Sequence, residues 1–218
     1  KLRPGKPLPL QWRVQPDDHT QSFLELWLPE GARDVEITLT PPGHHKPLPA
    51  LRMGEAATWT GSGPHPQCVL IYPSRSALGR RGTCALLALA PTASLHAGVT
   101  TAPCGVWQVS LLNKGQKALP FDAYIERDDV ALGQHTGARQ SYLEDPDYDT
   151  SGNLHSWVDK LKNRTPVRRS GTFNSLSTGE RTVSVGGTRR HADPNSPVGP
   201  FALYSPQRPD PAKPPTQR

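Results

Sequence analysis

A chain of 218 residues has room for one large domain, or one domain and a tail, and its 19 glycines and 25 prolines exclude long helices in favour of short strands and many loops. Hydrophobic residues make up 34% of it, below the roughly 45–50% usual when glycine is also counted, so a core is expected over part of the length only. The net charge of +6 is lopsided, with 14 basic and 16 acidic side chains up to Asp159 but 11 and 3 from Lys160 onward, and the basic ones stand singly or in pairs (Arg168-Arg169, Arg189-Arg190) without interleaved aromatics, which argues for solvated loop rather than nucleic-acid binding.

Lys1 to Pro9 is a Pro-rich lead-in. Leu10, Trp12 and Val14 then alternate with Gln11, Arg13 and Gln15, which predicts a first strand, and Pro16-Asp17-Asp18-His19 predicts a turn. A second strand is expected over Gln21–Leu28, where Leu24, Leu26 and Leu28 share one face and Phe23, Glu25 and Trp27 the other. Asp34–Thr40 carries the cleanest period-two pattern, Val35, Ile37 and Leu39 against Glu36, Thr38 and Thr40. A weaker strand is expected around Trp59, over Ala57–Thr60. Gln67–Tyr72 and Thr83–Ala90 are nearly continuous apolar runs, as expected for central strands covered on both faces.

Gly105–Asp129 is the organising stretch. Trp107, Val109 and Leu111 alternate with Gln108, Ser110 and Leu112, Asn113 to Lys117 supply turn residues, and alternation resumes through Phe121, Ala123 and Ile125. This predicts an antiparallel hairpin closing the fold near Glu126-Arg127-Asp128-Asp129. The expected fold class is therefore mainly β: an antiparallel β-sandwich or jelly roll of seven or eight strands. Beyond it, residues 130–170 are polar connecting loops, with a short helical turn expected over Asn153–Leu161. Val183 to Val185 read as one short strand, and Pro209 to Arg218, with four prolines and no large apolar side chain, read as a disordered tail.

Candidate chemistry is sparse. Asp17-Asp18-His19 invites an acid–base or metal reading, but three polar residues after a proline more often form a plain turn. The acidic loop Glu144, Asp145, Asp147 and Asp149 lacks the ligand rhythm of a calcium loop, and His44-His45 is too isolated to hold zinc. Cys68, Cys84 and Cys104 form no CxxC; a Cys68–Cys84 disulfide and three reduced thiols are both open readings. Ser170-Gly171-Thr172 and Ser151-Gly152 lack the surroundings of a nucleophile elbow, and the sequon Asn163-Arg164-Thr165 is followed by proline. No catalytic, cofactor-binding or metal-ligating residue is assigned, and no cofactor is expected. No run of eighteen or more apolar residues suggests a membrane span. The chain opens on Lys1 rather than Met, which leads to the expectation of a fragment or a processed chain.

Three stretches in order, Leu10–Pro29, Gly105–Asp129 and Arg168–Gly187, resemble bacterial subtilisin-like serine peptidases in which a β-sandwich insert interrupts the catalytic domain. Thr182-Val183-Ser184-Val185-Gly186-Gly187 looks like the strand these enzymes carry before the nucleophile, and Phe201–Pro206 resembles the Ala-x-Tyr/Phe-Ser segment that follows that strand. The resemblance implies residues 1–129 as the insert, 171–206 as part of an incomplete α/β catalytic domain and 207–218 as tail. It implies a polypeptide substrate for the intact parent, and a bacterial, secreted or cell-envelope setting. The family's Asp-Ser/Thr-Gly, His-Gly-Thr and Gly-Thr-Ser motifs do not occur here, so its catalytic Asp, His and oxyanion Asn are expected before Lys1 and its Ser after Arg218, and this chain alone is expected to be inert. The competing expectation is a free-standing β-sandwich that binds carbohydrate or protein, with Trp12, Trp27, Trp59 and Trp107 as stacking surface and a basic tail.

Overall fold

The computed structural model describes residues 1–30, 32–61, 63–74, 82–130, 133, 136–145, 149–151, 156–158 and 166–167. The chain divides into two units, Lys1–Glu144 and Asp145–Arg218. The first unit is built on nine strands: β1 (Leu8–Val14), β2 (Ser22–Leu28), β3 (Val35–Thr40), β4 (Glu55–Trp59), β5 (Cys68–Tyr72), β6 (Thr83–Leu89), β7 (Gly105–Asn113), β8 (Asp122–Ile125) and β9 (Tyr142–Glu144). They form a four-stranded sheet, β3-β7-β1-β9, and a five-stranded sheet, β4-β5-β6-β2-β8, antiparallel throughout. The mainly-β expectation holds: two antiparallel sheets and no helix among the described residues. No described helix is long and apolar enough to cross a membrane.

Period-two patterning does the sorting. In β2 the inward Leu24, Leu26 and Leu28 are buried and the outward Phe23, Glu25 and Trp27 half-buried. In β1 and β7, Leu10, Trp12 and Val14 face Val109, Trp107 and Gly105 in register. Both indoles are fully buried, and a buried aromatic of this size removes about 150–250 Å² from water. One core joins the two sheets through Leu10, Trp12, Leu24, Leu26, Ile37, Leu70, Tyr72, Leu87 and Leu111.

The expected hairpin over Gly105–Asp129 is not one. β7 lies in the four-stranded sheet between β3 and β1, and β8 in the five-stranded sheet beside β2. Residues 114–121 therefore cross from one layer to the other. The connection is longer than the roughly two to five residues of a tight hairpin, and long enough to span the ~10 Å between stacked sheets. Asn113 organises its start: fully buried, it donates from Nδ2 to the carbonyls of Leu2 (3.2 Å) and Lys117 (2.8 Å), and its Oδ1 accepts from Gly115 N (2.9 Å). The chain's beginning fastens the crossing, with Leu2 N to Leu119 O at 2.7 Å and Leu119 N to Leu2 O at 3.0 Å.

Three further expectations change. The sheet continues past Asp129, because β9 adds to the edge of β1. Two-sided coverage of β5 and β6 does not hold: their residues alternate, with Val69, Leu86 and Ala88 half-buried and Ile71 exposed on the outer face. In the second unit β10 (Asp149–Ser151) pairs antiparallel with β11 (Ser156–Val158), so a strand stands where a helical turn was expected. The expected strand Val183–Val185, the Phe201–Pro206 segment and the tail lie outside the described residues.

Candidate functional site

The best-organised polar cluster of the first unit grows from the turn between β1 and β2. Asp17 sits at φ 57°, a left-handed conformation that Asp tolerates better than most side chains. That conformation turns Asp18 inward, where it is fully buried. Its Oδ1 accepts from Thr20 N (3.0 Å), Thr20 Oγ1 (2.7 Å) and Arg139 N (3.2 Å), while Ser22 Oγ stands 3.5 Å from Oδ2. Its backbone is held as well: Asp18 N donates to Thr92 Oγ1 (2.9 Å), and Ala93 N to Asp18 O (2.9 Å). His19 N reaches Gly137 O at 2.8 Å. The Asp18 carboxylate thus ties the β1–β2 turn to the segment leading into β9, and the Asp18 backbone adds the loop after β6.

A second carboxylate continues the knot. Asp128 Oδ2 accepts from Ser141 N (2.8 Å) and lies within 3.3 Å of Ser141 Oγ, while its other oxygen, Oδ1, is buried and has no partner among the described residues. Burial pushes the Asp128 carboxyl up, opposed by the Ser141 backbone bond and assisted by the nearby charge of Asp18. At the surface, the Arg139 guanidinium (3.1 Å) and the His19 ring (3.5 Å) hold the Asp17 carboxyl below its usual range.

Chemically this arrangement binds the protein to itself. His19 Nε2 lies 3.5 Å from Asp17 Oδ1. The nearby hydroxyls spend their protons locally: Thr92 Oγ1 donates to Gln15 O (2.8 Å), and Thr20 Oγ1 to Asp18. No hydroxyl there is presented as a nucleophile. The plain-turn reading of Asp17-Asp18-His19 is the geometry found, extended by long-range bonds that local spacing does not reveal.

The remaining candidates are scattered. Cys68 lies opposite Leu89 in the β5–β6 ladder, while Cys84 lies five positions from Leu89 along β6, so about 17 Å separates them and a disulfide between them is excluded. All three cysteines are free. Burial pushes the Cys68 and Cys84 thiols up to about 12, which removes them as nucleophiles at neutral pH. Cys104, directly before β7, is exposed. His44 is exposed and stands edge-on to Trp59, 5.6 Å between ring centres, and Trp59 stands edge-on to Trp107 at 5.4 Å. Glu144 pairs through both oxygens with Arg13, at 2.8 to 3.1 Å, and so clips β9 to β1. No group of three or more His, Cys, Asp or Glu side chains among the described residues could hold a metal. Ser170-Gly171-Thr172, Asn163-Arg164-Thr165 and Asp147 lie outside the described residues, as does Gly152 of the Ser151-Gly152 pair.

Burial also answers the stacking-surface expectation. Trp12 and Trp107 are core, and Trp27 donates from Nε1 to its own strand's Glu25 (2.7 Å), leaving no row of exposed indoles among the described residues.

The described fold defines a class, the two-layer antiparallel β-sandwich. No protein-family model matches the chain, and no curated protein matches it. Among solved structures it has a weak likeness to the Clostridium perfringens CspB protease, at 12% sequence identity and a TM-score of 0.42, covering 55% of this chain and 24% of that one. The matched part is thus about a quarter of that protein's length.

Proposed function

We propose that this chain is a non-catalytic internal portion of a subtilisin-like serine endopeptidase: residues 1–129 belong to a β-sandwich insert, 130–170 connect it, and 171–206 return into the catalytic domain. Peptide-bond hydrolysis belongs to the intact parent, whose Asp, His, oxyanion Asn and Ser lie outside this chain. The supporting observation joins sequence and fold. Of the three stretches that resemble the family, Leu10–Pro29 covers β1 and β2 and Gly105–Asp129 covers β7 and β8, and these lie side by side, β1 on β7 in one sheet and β2 on β8 in the other. Segments far apart in sequence thus pair within each of the two sheets, as expected if the resemblance reports a shared architecture. The third stretch, Arg168–Gly187, lies outside the described residues.

The reading is tested on the reading frame that encodes the chain. A Gly-Thr-Ser segment downstream of Arg218, with Asp-Ser/Thr-Gly and His-Gly-Thr segments upstream of Lys1, is the expected finding. A frame that runs on through both flanks without them overturns it.

A further inference from the structure

Each of the two sheets of the first unit has two edges, and three of these four are protected. The free side of β3 is covered by a returning segment, with Leu48 N to Leu39 O at 2.8 Å, Ile37 N to Leu51 O at 2.9 Å and Leu51 N to Ile37 O at 2.8 Å. β9 is only three residues long. β8 is four residues long and is followed at once by Glu126, whose carbonyl accepts from Gln140 Nε2 (3.0 Å). Short or covered edges are the usual defence against unwanted strand pairing.

No described segment covers the free side of β4. It pairs with β5 on one side only, and no described strand lies on the other. It is five residues, Glu55-Ala56-Ala57-Thr58-Trp59, with no proline, lysine or arginine. Glu55, Ala57 and Trp59 lie on the inward face, opposite the buried Tyr72, Leu70 and Cys68, yet Glu55 and Ala57 are exposed, as are the outward Ala56 and Thr58. The strand therefore projects beyond the opposing sheet. Little apolar burial holds it, and its backbone donors and acceptors on the free side face outward along a flat, small-residue rim.

From this we propose that β4 is a self-association edge, pairing antiparallel with β4 of a second copy of this chain about a two-fold axis through Ala57, so that the five-stranded sheet continues across the dimer. The sequence of the strand favours its own copy. An antiparallel two-fold at Ala57 is the one register that pairs all five residues: Ala57 opposes Ala57, Ala56 opposes Thr58, and Glu55 opposes Trp59 rather than another Glu55. The strand's one charge thus avoids its copy and meets an indole, the kind of carboxylate–indole pairing that Glu25 and Trp27 already make at 2.7 Å. A contact of this length falls at the small end of specific interfaces, so the dimer exchanges readily with monomer. The inference goes beyond the proposed function and does not depend on it.

The test uses the full 218-residue chain in sedimentation velocity from micromolar to millimolar concentration. A monomer–dimer equilibrium is expected, and Ala57→Lys, which sets two like charges face to face at a solvent-exposed position, raises the dissociation constant at least roughly tenfold. Register is read by crosslinking in a Cys104→Ser background, which removes the exposed thiol. Ala57→Cys places the two new sulfurs across one pair and forms a disulfide-linked dimer under mild oxidation. Glu55→Cys leaves them four residues out of step, about 13 Å apart, and crosslinks at least tenfold more slowly. A chain that stays monomeric throughout, a dimer indifferent to Ala57→Lys, or equal crosslinking at positions 55 and 57 overturns the proposal. Capture of an extended peptide of another protein by a chain that stays monomeric overturns it in favour of a foreign strand.

Discussion

Asp18→Ala removes the carboxylate on which the β1–β2 turn and the approach to β9 converge, and leaves the backbone bonds from Asp18 to the β6–β7 loop in place. The substitution leaves two backbone donors, Thr20 N and Arg139 N, and one hydroxyl, Thr20 Oγ1, without the oxygen they now share. A buried donor left unpaired costs about 1–3 kcal/mol. Arg139 is itself exposed and regains water more easily, so the total is expected at about 2–4 kcal/mol, a large share of the 5–15 kcal/mol by which domains are stable. Asp18→Asn is the control: it keeps Oδ1 for the same three donors, directs its amide toward Ser22 Oγ, and should cost about 1 kcal/mol or less. Urea denaturation followed by tryptophan fluorescence reads both. At a slope of about 2 kcal/mol/M, the alanine variant's midpoint falls by about 1–2 M, and hydrogen exchange at Thr20 and Arg139 accelerates. An alanine variant within about 0.5 kcal/mol of the parent, or an asparagine variant as unstable as the alanine one, would refute the assignment of the knot to Oδ1.

Gly82→Ala should destabilise the first unit by about 2 kcal/mol or more, because Gly82 sits at φ 109° and a Cβ there runs into the carbonyl of Leu28; a thermal midpoint lowered by several degrees is the expected result. Trp107→Phe should cost about 1–2 kcal/mol more than Trp12→Phe in denaturant titrations: both side chains are fully buried, but Trp107 Nε1 donates to Pro103 O (3.1 Å), whereas Trp12 Nε1 has no partner among the described residues. The Glu36 carboxyl is held below its ordinary 4.5 by a hydrogen bond from Lys114 (2.7 Å) and one from Arg52 (2.9 Å), against the opposing effect of burial. A depressed acid stabilises the fold fully above its unfolded value, and that contribution disappears as pH falls below about 4.5 through the folded value. Glu36→Gln should therefore flatten this part of the acid-side loss in a stability–pH series and leave the slope at neutral pH unchanged.

The strands were legible because each inward face is a row of large apolar residues at period two, as in Leu24, Leu26 and Leu28 or Val35, Ile37 and Leu39. Their partners were not. Hydrophobic alternation says which side of a strand is buried, but not which layer the strand joins, so Gly105–Asp129 reads as a hairpin until the length of residues 114–121 is weighed and Leu2 is found clasping Leu119. The three-residue β9 is too short to give any periodic signal; its place comes from the Arg13–Glu144 clip and the ladder to β1. The carboxylate knot was half legible. A local turn at Asp18 follows from residue type, but Arg139 N and Thr92 Oγ1 reach it from distant positions that no spacing rule connects.

The proposal that the chemistry lies outside this chain is tested most directly by a fluorophosphonate probe applied, side by side, to the isolated 218-residue chain and to the product of the uninterrupted reading frame. The account predicts labelling of the long product at a serine beyond Arg218 and no labelling of the isolated chain. Covalent labelling of any serine between Ser22 and Ser205 in the isolated chain, or a long product that the probe leaves untouched, would contradict it.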